Sequence, residues 1–277
     1  MLQRKVRTML QAAIGRQENT AMKSRIVWLA VVMVGLMHSP LLASRLPSWL
    51  DPNTEVLTAG PQSAPMSVSA MWLDNNSDTV VVEGDKVTFG AGSWTESMWD
   101  LTWTSIVLDR DPFVSFVGGF TNTTGSSQDF VFGITTPISP ALTSTLYGGS
   151  TIVTFGDGNN DGLGGLANDT SVNPAYSGTI DGTGVLSMLT SLSLTPTFAG
   201  DASQFATETQ GLPGPNIGGP AANSSIGILH RFNLSAGDQG TFNSTFHVVP
   251  EPAVVSLLLS GAVCGLLLWR RRRKVNG

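Results

Sequence analysis

The sequence predicts a mainly β protein whose exported part is an antiparallel β-sandwich. Three observations carry that expectation. Short β-branched and aromatic runs alternate with period two, as half-buried strands do. Turn-forming clusters separate these runs, drawing on 31 glycines and 15 prolines in 277 residues. Both ends read as targeting segments, which leaves roughly 200 residues between them, enough for one substantial core.

The N-terminal segment is basic and then apolar. Arg4, Lys5, Arg7, Arg16, Lys23 and Arg25 precede the run Ile26 to Met37, and the small residues Ala43 and Ser44 follow. This is the layout of a secretory signal peptide over 1–44. Met22-Lys23-Ser24-Arg25 would make a more typical start, so residues 1–21 read either as a long basic region or as lying upstream of the true start. Residues 45–69 are rich in Pro and Ser and show no clear period; they are expected to form a linker or arm.

The β pattern is expected from Ala70 to Val249. Thr79 to Val82 and Val87 to Phe89 flank a hairpin-like turn, Glu83-Gly84-Asp85-Lys86. Trp99, Leu101 and Trp103 alternate with Asp100 and Thr102. Asp111-Pro112-Phe113-Val114 opens another strand, and Asn122 to Gln128 forms a polar turn before the aromatic strand Phe130 to Ile134. Thr145 to Tyr147 and Thr151 to Phe155 continue the pattern. Val185 to Phe198 alternates Leu with Ser and Thr, although Leu189 is off-phase and the start also fits a helix. Gly211 to Pro220 reads as a long surface loop. The last pair is the clearest. Ile226, Ile228, His230, Phe232 and Leu234 share one face; Phe242, Ser244, Phe246 and Val248 share another. Ser235 to Gly240 joins the two, and a hairpin is expected.

The last 28 residues, 250–277, form a tripartite tail that Val249 leads into. Val249-Pro250-Glu251-Pro252 comes first, then seventeen apolar or small residues from Ala253 to Trp269, then Arg270-Arg271-Arg272-Arg273-Lys274. As a helix the apolar run would be roughly 25 Å long, at the short end of what spans a bilayer. Cations just beyond it resist translocation and hold that end inside. The two prolines fix φ and remove donors, so the knuckle is expected neither to extend the helix nor to pair within a sheet, and to stay extended and accessible.

This order of parts resembles the PEP-CTERM sorting signal of bacterial envelope proteins. The resemblance implies export through the secretion translocon, anchoring in the cytoplasmic membrane, and processing by an exosortase at the membrane surface. It further implies placement in the cell envelope or extracellular matrix, often alongside exopolysaccharide. The stretch Asp111-Pro112-Phe113-Val114, the turn Thr121-Asn122-Thr123-Thr124-Gly125 and the strand Phe130 to Ile134 are similar to exported domains that carry this tail. That likeness implies a β-rich domain and no particular activity.

Charge narrows the partners. Between Arg45 and Pro250 four cations (Arg45, Lys86, Arg110 and Arg231) stand against eighteen acids. Such a surface repels phosphate backbones, so nucleic acid is not an expected partner. Cys264, the single cysteine, lies in the apolar tail, and no intramolecular disulfide can form.

Few motifs carry chemistry. Asp157-Gly158-Asn159-Asn160-Asp161-Gly162 matches the first half of a calcium loop, with Asp157, Asn159 and Asp161 as candidate ligands. Its twelfth position is Asn168, which supplies no bidentate carboxylate, so an Asx- and Gly-rich turn competes with calcium. Gly162-Leu163-Gly164-Gly165-Leu166-Ala167 fits a dinucleotide fingerprint by letter only, for no βαβ context surrounds it. No Gly-x-Ser-x-Gly elbow occurs. His230 and His247 are the only exported histidines; His230 sits on an apolar strand face and suits a satisfied or edge histidine better than a base, although the two could meet across the expected hairpin, and neither falls in a metal-ligand spacing. Asp109 and Asp111 could in principle serve a glycosidase but suit a turn better. The expected function is therefore structural or adhesive, without catalysis. The alternative is a carbohydrate- or calcium-dependent binding module, marked by an exposed ring among Trp72, Trp94, Trp99 and Trp103, unless these fill the core.

Overall fold

The structure is a computed structural model that describes residues 45–171, 173–202 and 204–251. The expected signal peptide over 1–44, Pro252, the apolar run 253–269 and the basic cluster lie outside the described residues. Among the described residues no helix is long and apolar enough to cross a membrane.

Two antiparallel sheets pack face to face as a sandwich. The first is built from β1 (Glu55–Pro61), β2 (Met66–Ser69), β8 (Gln128–Pro137), β10 (Leu166–Ala167), β11 (Tyr176–Ile180), β12 (Thr183–Met188), β13 (Ser193–Leu194) and β16 (Ser225–Leu234). Its strand order is β12-β11-β16-β8-β1-β2, with β10 bridging β13 and β16. The second holds β3 (Val80–Glu83), β4 (Lys86–Phe89), β5 (Gly92–Thr95), β6 (Trp99–Asp109), β7 (Phe113–Asn122), β9 (Thr145–Gly156), β14 (Phe205–Gln210), β15 (Ile217–Gly219) and β17 (Gln239–Pro250). Its order is β14-β9-β17-β7-β6-β4-β3, with β15 on β9 and β5 on β6. Alternation dictates the core: β6 buries Trp99, Leu101 and Trp103 while Thr102 and Thr104 face out.

The core is a stack of rings contributed from both sheets. Phe132 of β8 meets Phe116 of β7 at 4.8 Å, Phe242 of β17 at 4.9 Å and the His230 ring of β16 at 4.6 Å. Phe120 meets Phe130 at 4.7 Å. A tryptophan cluster closes one end, with Trp94 placed 5.3 Å from Trp72 and 4.9 Å from Trp99. Trp94, Trp99 and Trp103 are buried and Trp72 packs half-buried against them. These tryptophans fill the core; none is the exposed sugar platform considered from the sequence.

Several expectations are corrected. Residues 45–69 are not an arm, because β1 and β2 lie in the first sheet and β1 pairs with β8 from Leu57↔Ile134 to Pro61↔Phe130. Val56, Leu57 and Ala59 are buried, but a bulge between Glu55 and Leu57 breaks the alternation that would have revealed the strand. Ala70–Asn76 is not β but a short helix, α1, whose N-cap Ser69 accepts a hydrogen bond from the Trp72 amide. Residues 185–198 begin in β12 with no helix; Leu189 is off-phase because its φ of 55° reverses the chain. The expected loop 211–220 contains β15.

The expected final hairpin is the largest miss. β16 pairs with β8 and β11, whereas β17 pairs with β7 and β9 in the other sheet. Their apolar faces meet across the core, with Phe232 and Phe242 4.9 Å apart. Two consecutive strands that each bury a full face satisfy both by facing one another; a hairpin would lay both faces side by side. The expected β3–β4 hairpin does form, turning at Gly84 with φ of 63°.

Candidate functional site

The outer face of the second sheet carries a shallow groove of about 330 Å³. Register builds it. One row across the strands runs Thr102, Gly119, Thr241, Thr154 and Phe205. The next runs Ser105, Val117, Asn243, Ile152 and Thr207. A bulge between Trp103 and Ser105 sets Thr104 on the same outer surface. Gly119, with no side chain in the middle of its row, makes the hollow.

The lining is neutral and rich in hydrogen-bonding groups. It comprises hydroxyls from five threonines, the amides of Gln239 and Asn243, and the apolar Val117 and Ile152. No charged side chain lines it. At its edge stands Phe205 on the outermost strand β14, 64 % exposed and opposite Thr154. Ile152, 44 % exposed, lies one row away. Sequence reading missed Phe205, since a lone Phe in FATETQ shows neither its edge position nor its neighbours.

His230 is a satisfied core histidine, as its apolar strand face suggests, and it lies in the other sheet from His247. His230 is fully buried: its Nδ1–H donates to the Ala175 carbonyl at 2.9 Å, and its Nε2 accepts from the Ser244 hydroxyl at 2.9 Å. A serine on an imidazole looks like half of a nucleophilic pair, but both groups are sealed from solvent and a backbone carbonyl stands where an orienting acid would be. Burial pushes the His230 pKa down to about 3, so it is neutral. His247 lies on the other sheet with its ring 5.8 Å from Phe113. Asp109 Oδ1 accepts from the Asp111 amide at 3.0 Å, closing the β6–β7 turn; this pair is turn chemistry.

The predicted calcium loop is well ordered by hydrogen bonds. Asp157 accepts from the amides of Asp161 (3.3 Å), Gly162 (2.8 Å) and Gly200 (2.8 Å). These amide bonds outweigh the opposing cost of burial and hold its carboxyl below the usual range. Asn159 Oδ1 and Asp161 Oδ1 accept from the amides of Asp161 and Leu163. Among the described residues no three His, Cys, Asp or Glu side chains converge in ligand geometry.

Two residues nearby escaped the sequence reading. Asn122 ties the second sheet to the first: its Nδ2 donates to the carbonyls of Ser126, Leu234 and Ser235, and its Oδ1 accepts from the Thr124 amide and hydroxyl. Asp238, on the crossing from β16 to β17, is fully buried and neither of its oxygens has a partner in hydrogen-bond geometry. The Gly158 amide still lowers its pKa, but burial and the charges of Asp157 and Asp161 prevail and push it up to about 6.

The expected sorting motif begins on the sheet itself. β17 runs through Val249 to Pro250, which pair with Leu146 and Thr145, and the Glu251 amide donates to the Ser144 carbonyl at 3.2 Å. Pro250 thus closes a strand, contrary to the expectation that the knuckle stays clear of the sheet; its missing donor is tolerated at a strand end. Pro250 and Glu251 are exposed.

No protein-family profile matches the chain, and no curated protein does. Among solved structures it is similar to that of TmCBM61 in complex with beta-1,4-galactotriose, at 12 % identity over 56 % of this chain and 90 % of that one, with a TM-score of 0.28. At that score the likeness carries no functional argument.

Proposed function

We propose that this chain is an exported, non-catalytic protein of the cell envelope or matrix whose β-sandwich adheres to neutral polysaccharide through the groove on its second sheet. The groove's lining carries this reading. Neutral sugars present hydroxyls that both donate and accept, and they present apolar ring faces that stack on aromatic rings. Threonine hydroxyls and the Gln239 and Asn243 amides match the first, and exposed Phe205 at the rim matches the second. The uncharged lining disfavours anionic polymers.

The test is affinity electrophoresis of the exported protein in gels cast with neutral glucans, galactans or mannans. Retardation is expected in at least one. Phe205→Ala, at an exposed edge, should weaken it roughly tenfold, in keeping with the loss of one ring-stacking contact. Gly119→Leu should abolish it by filling the hollow, where an added Cβ meets nothing closer than 3.5 Å. Equal migration of wild type and Gly119→Leu in every gel would overturn the reading.

Delivery is the second part of the proposal. The tail's Pro-Glu-Pro, apolar run and arginines support membrane anchoring followed by exosortase processing. Replacing Pro250, Glu251 and Pro252 together with alanine in the native host should leave the precursor uncut and membrane-bound. A mature protein of unchanged C-terminal mass would count against processing there.

A further inference from the structure

Asp238 is an anomaly that the groove does not explain. A carboxylate sealed from solvent with neither oxygen in hydrogen-bond geometry is costly, because burial penalises the charge and the Gly158 amide offsets only part of the penalty. Its nearest titratable neighbours make matters worse: Asp157 and Asp161 both repel it. No salt bridge among the described residues reaches any of the three.

The surrounding backbone is shaped around this carboxylate. A Cβ on Gly164 would fall 2.7 Å from Asp238 Oδ2, and a Cβ on Gly158 would fall 2.5 Å from the Gly237 carbonyl oxygen. Two glycines of the loop thus let it close over the β16–β17 crossing. The loop and the crossing also meet through Asn159. The Asn159 Nδ2 donates to both Asp161 Oδ2 (3.0 Å) and the Ala236 carbonyl (2.9 Å), so one partial positive charge bridges two oxygen acceptors from the loop and the crossing. That is the position a cation would favour, with the Asn159 side chain turned to offer its own oxygen.

We propose that the 157–162 loop and Asp238 form a calcium site, with Asp238 and Asp161 as carboxylate ligands and Asn159 and the Ala236 carbonyl as neutral ones. Asp157 is spent on three backbone amides and shapes the loop. The donors are all oxygen, two of them uncharged, and flexible in number. This suits calcium and not zinc, which takes nitrogen and sulfur in a tight tetrahedron. It also supplies the missing second half of the loop motif: the late carboxylate comes from Asp238, 77 positions beyond Asp161 in sequence, and not from a twelfth loop position. A bound cation would clamp the loop after β9 to the strand entering the groove, since Gln239 follows Asp238 and lines it. The proposal stands independently of what the groove binds.

The test uses the exported protein stripped with chelator and returned to calcium, magnesium or sodium chloride at matched ionic strength. With a dissociation constant of about 0.1–1 mM, typical of extracellular modules, a tenfold excess of calcium should raise Tm by roughly 4 °C. Magnesium should do less and sodium nothing. Asp238→Asn should show the opposite signature: Tm in chelator equal to or above that of wild type, because the unpaired charge is gone, and no calcium increment. Asp161→Asn gives a second reading at an exposed position and should weaken the response. No calcium-specific shift in wild type, or an undiminished shift in Asp238→Asn, would overturn the proposal.

Discussion

Phe132→Ala is expected to destabilise the protein by about 3–5 kcal/mol, the range for truncating a fully buried Phe. Phe132 has no exposed surface, and its ring contacts Phe116, Phe242 and His230 within 5 Å. Those three side chains come from β7, β17 and β16, so both sheets lean on the one ring. Removing it leaves a void whose walls are held by strand register and cannot fold inward cheaply. Phe132→Leu keeps most of the volume and should lose clearly less. Urea unfolding of both variants checks this: a lowered midpoint with unchanged slope is expected. A loss under about 1.5 kcal/mol for the alanine variant would mean that the two sheets can close over the gap. Against a total stability of about 5–15 kcal/mol, the expected loss is a large share.

The second large effect is acid sensitivity set by His230. Its folded pKa of about 3 lies below the ordinary value of 6.5 because the ring is buried. The unfolded chain therefore takes up a proton below pH 6.5 that the folded chain refuses until about pH 3. Stability from this residue is complete above pH 6.5 and falls as pH drops, by up to about 1.4 kcal/mol per pH unit, or about 3 kcal/mol by pH 4. The groups packed on the ring are Phe132, Tyr176, Phe242, the Ala175 carbonyl and Ser244, none of them charged at these pH values. Elsewhere in the chain, Asp238 acts with the opposite sign in the same window, since its folded pKa is raised. His247, lowered by partial burial, adds to the loss. Both are present in His230→Gln, so the difference between variant and wild type isolates His230. Urea midpoints at pH 7, 6, 5 and 4 should fall less steeply for His230→Gln; parallel pH profiles would refute the assignment. Below pH 4 the loss steepens for a separate reason. Asp181 accepts from the amides of Asn223, Ser224 and Ser225, which hold its carboxyl far below the usual range, and that contribution disappears as the group protonates.

Much of the sandwich could be read from the chain. Trp99, Leu101 and Trp103, or Ile226 through Leu234, announce buried faces by alternation, and those faces are buried in the structure. The β3–β4 turn was legible because Gly84 sits where φ must be positive. The strand β1 was hidden by a bulge, and α1 by its brevity: seven residues carry less than two helical turns of pattern. The candidate sites were less legible. Asp157, Asn159 and Asp161 stood out by spacing, but Asp238 and Phe205 carry no local signal. Asn122 looked like an ordinary turn residue, yet its amide binds carbonyls more than a hundred positions away.

The sequence by itself determined which side chains face inward, where the chain turns, and that an acidic middle lies between two basic, apolar ends. Those properties depend on neighbours two to four positions apart, which is the range over which strand pleat and turn geometry act. Only the tertiary structure decided that β16 and β17 face each other across the core, that Phe205 borders the groove, and that Asp238 closes against the 157–162 loop. Each of these is a meeting of distant segments chosen by burying both apolar faces at once, and no local pattern encodes which distant partner does so.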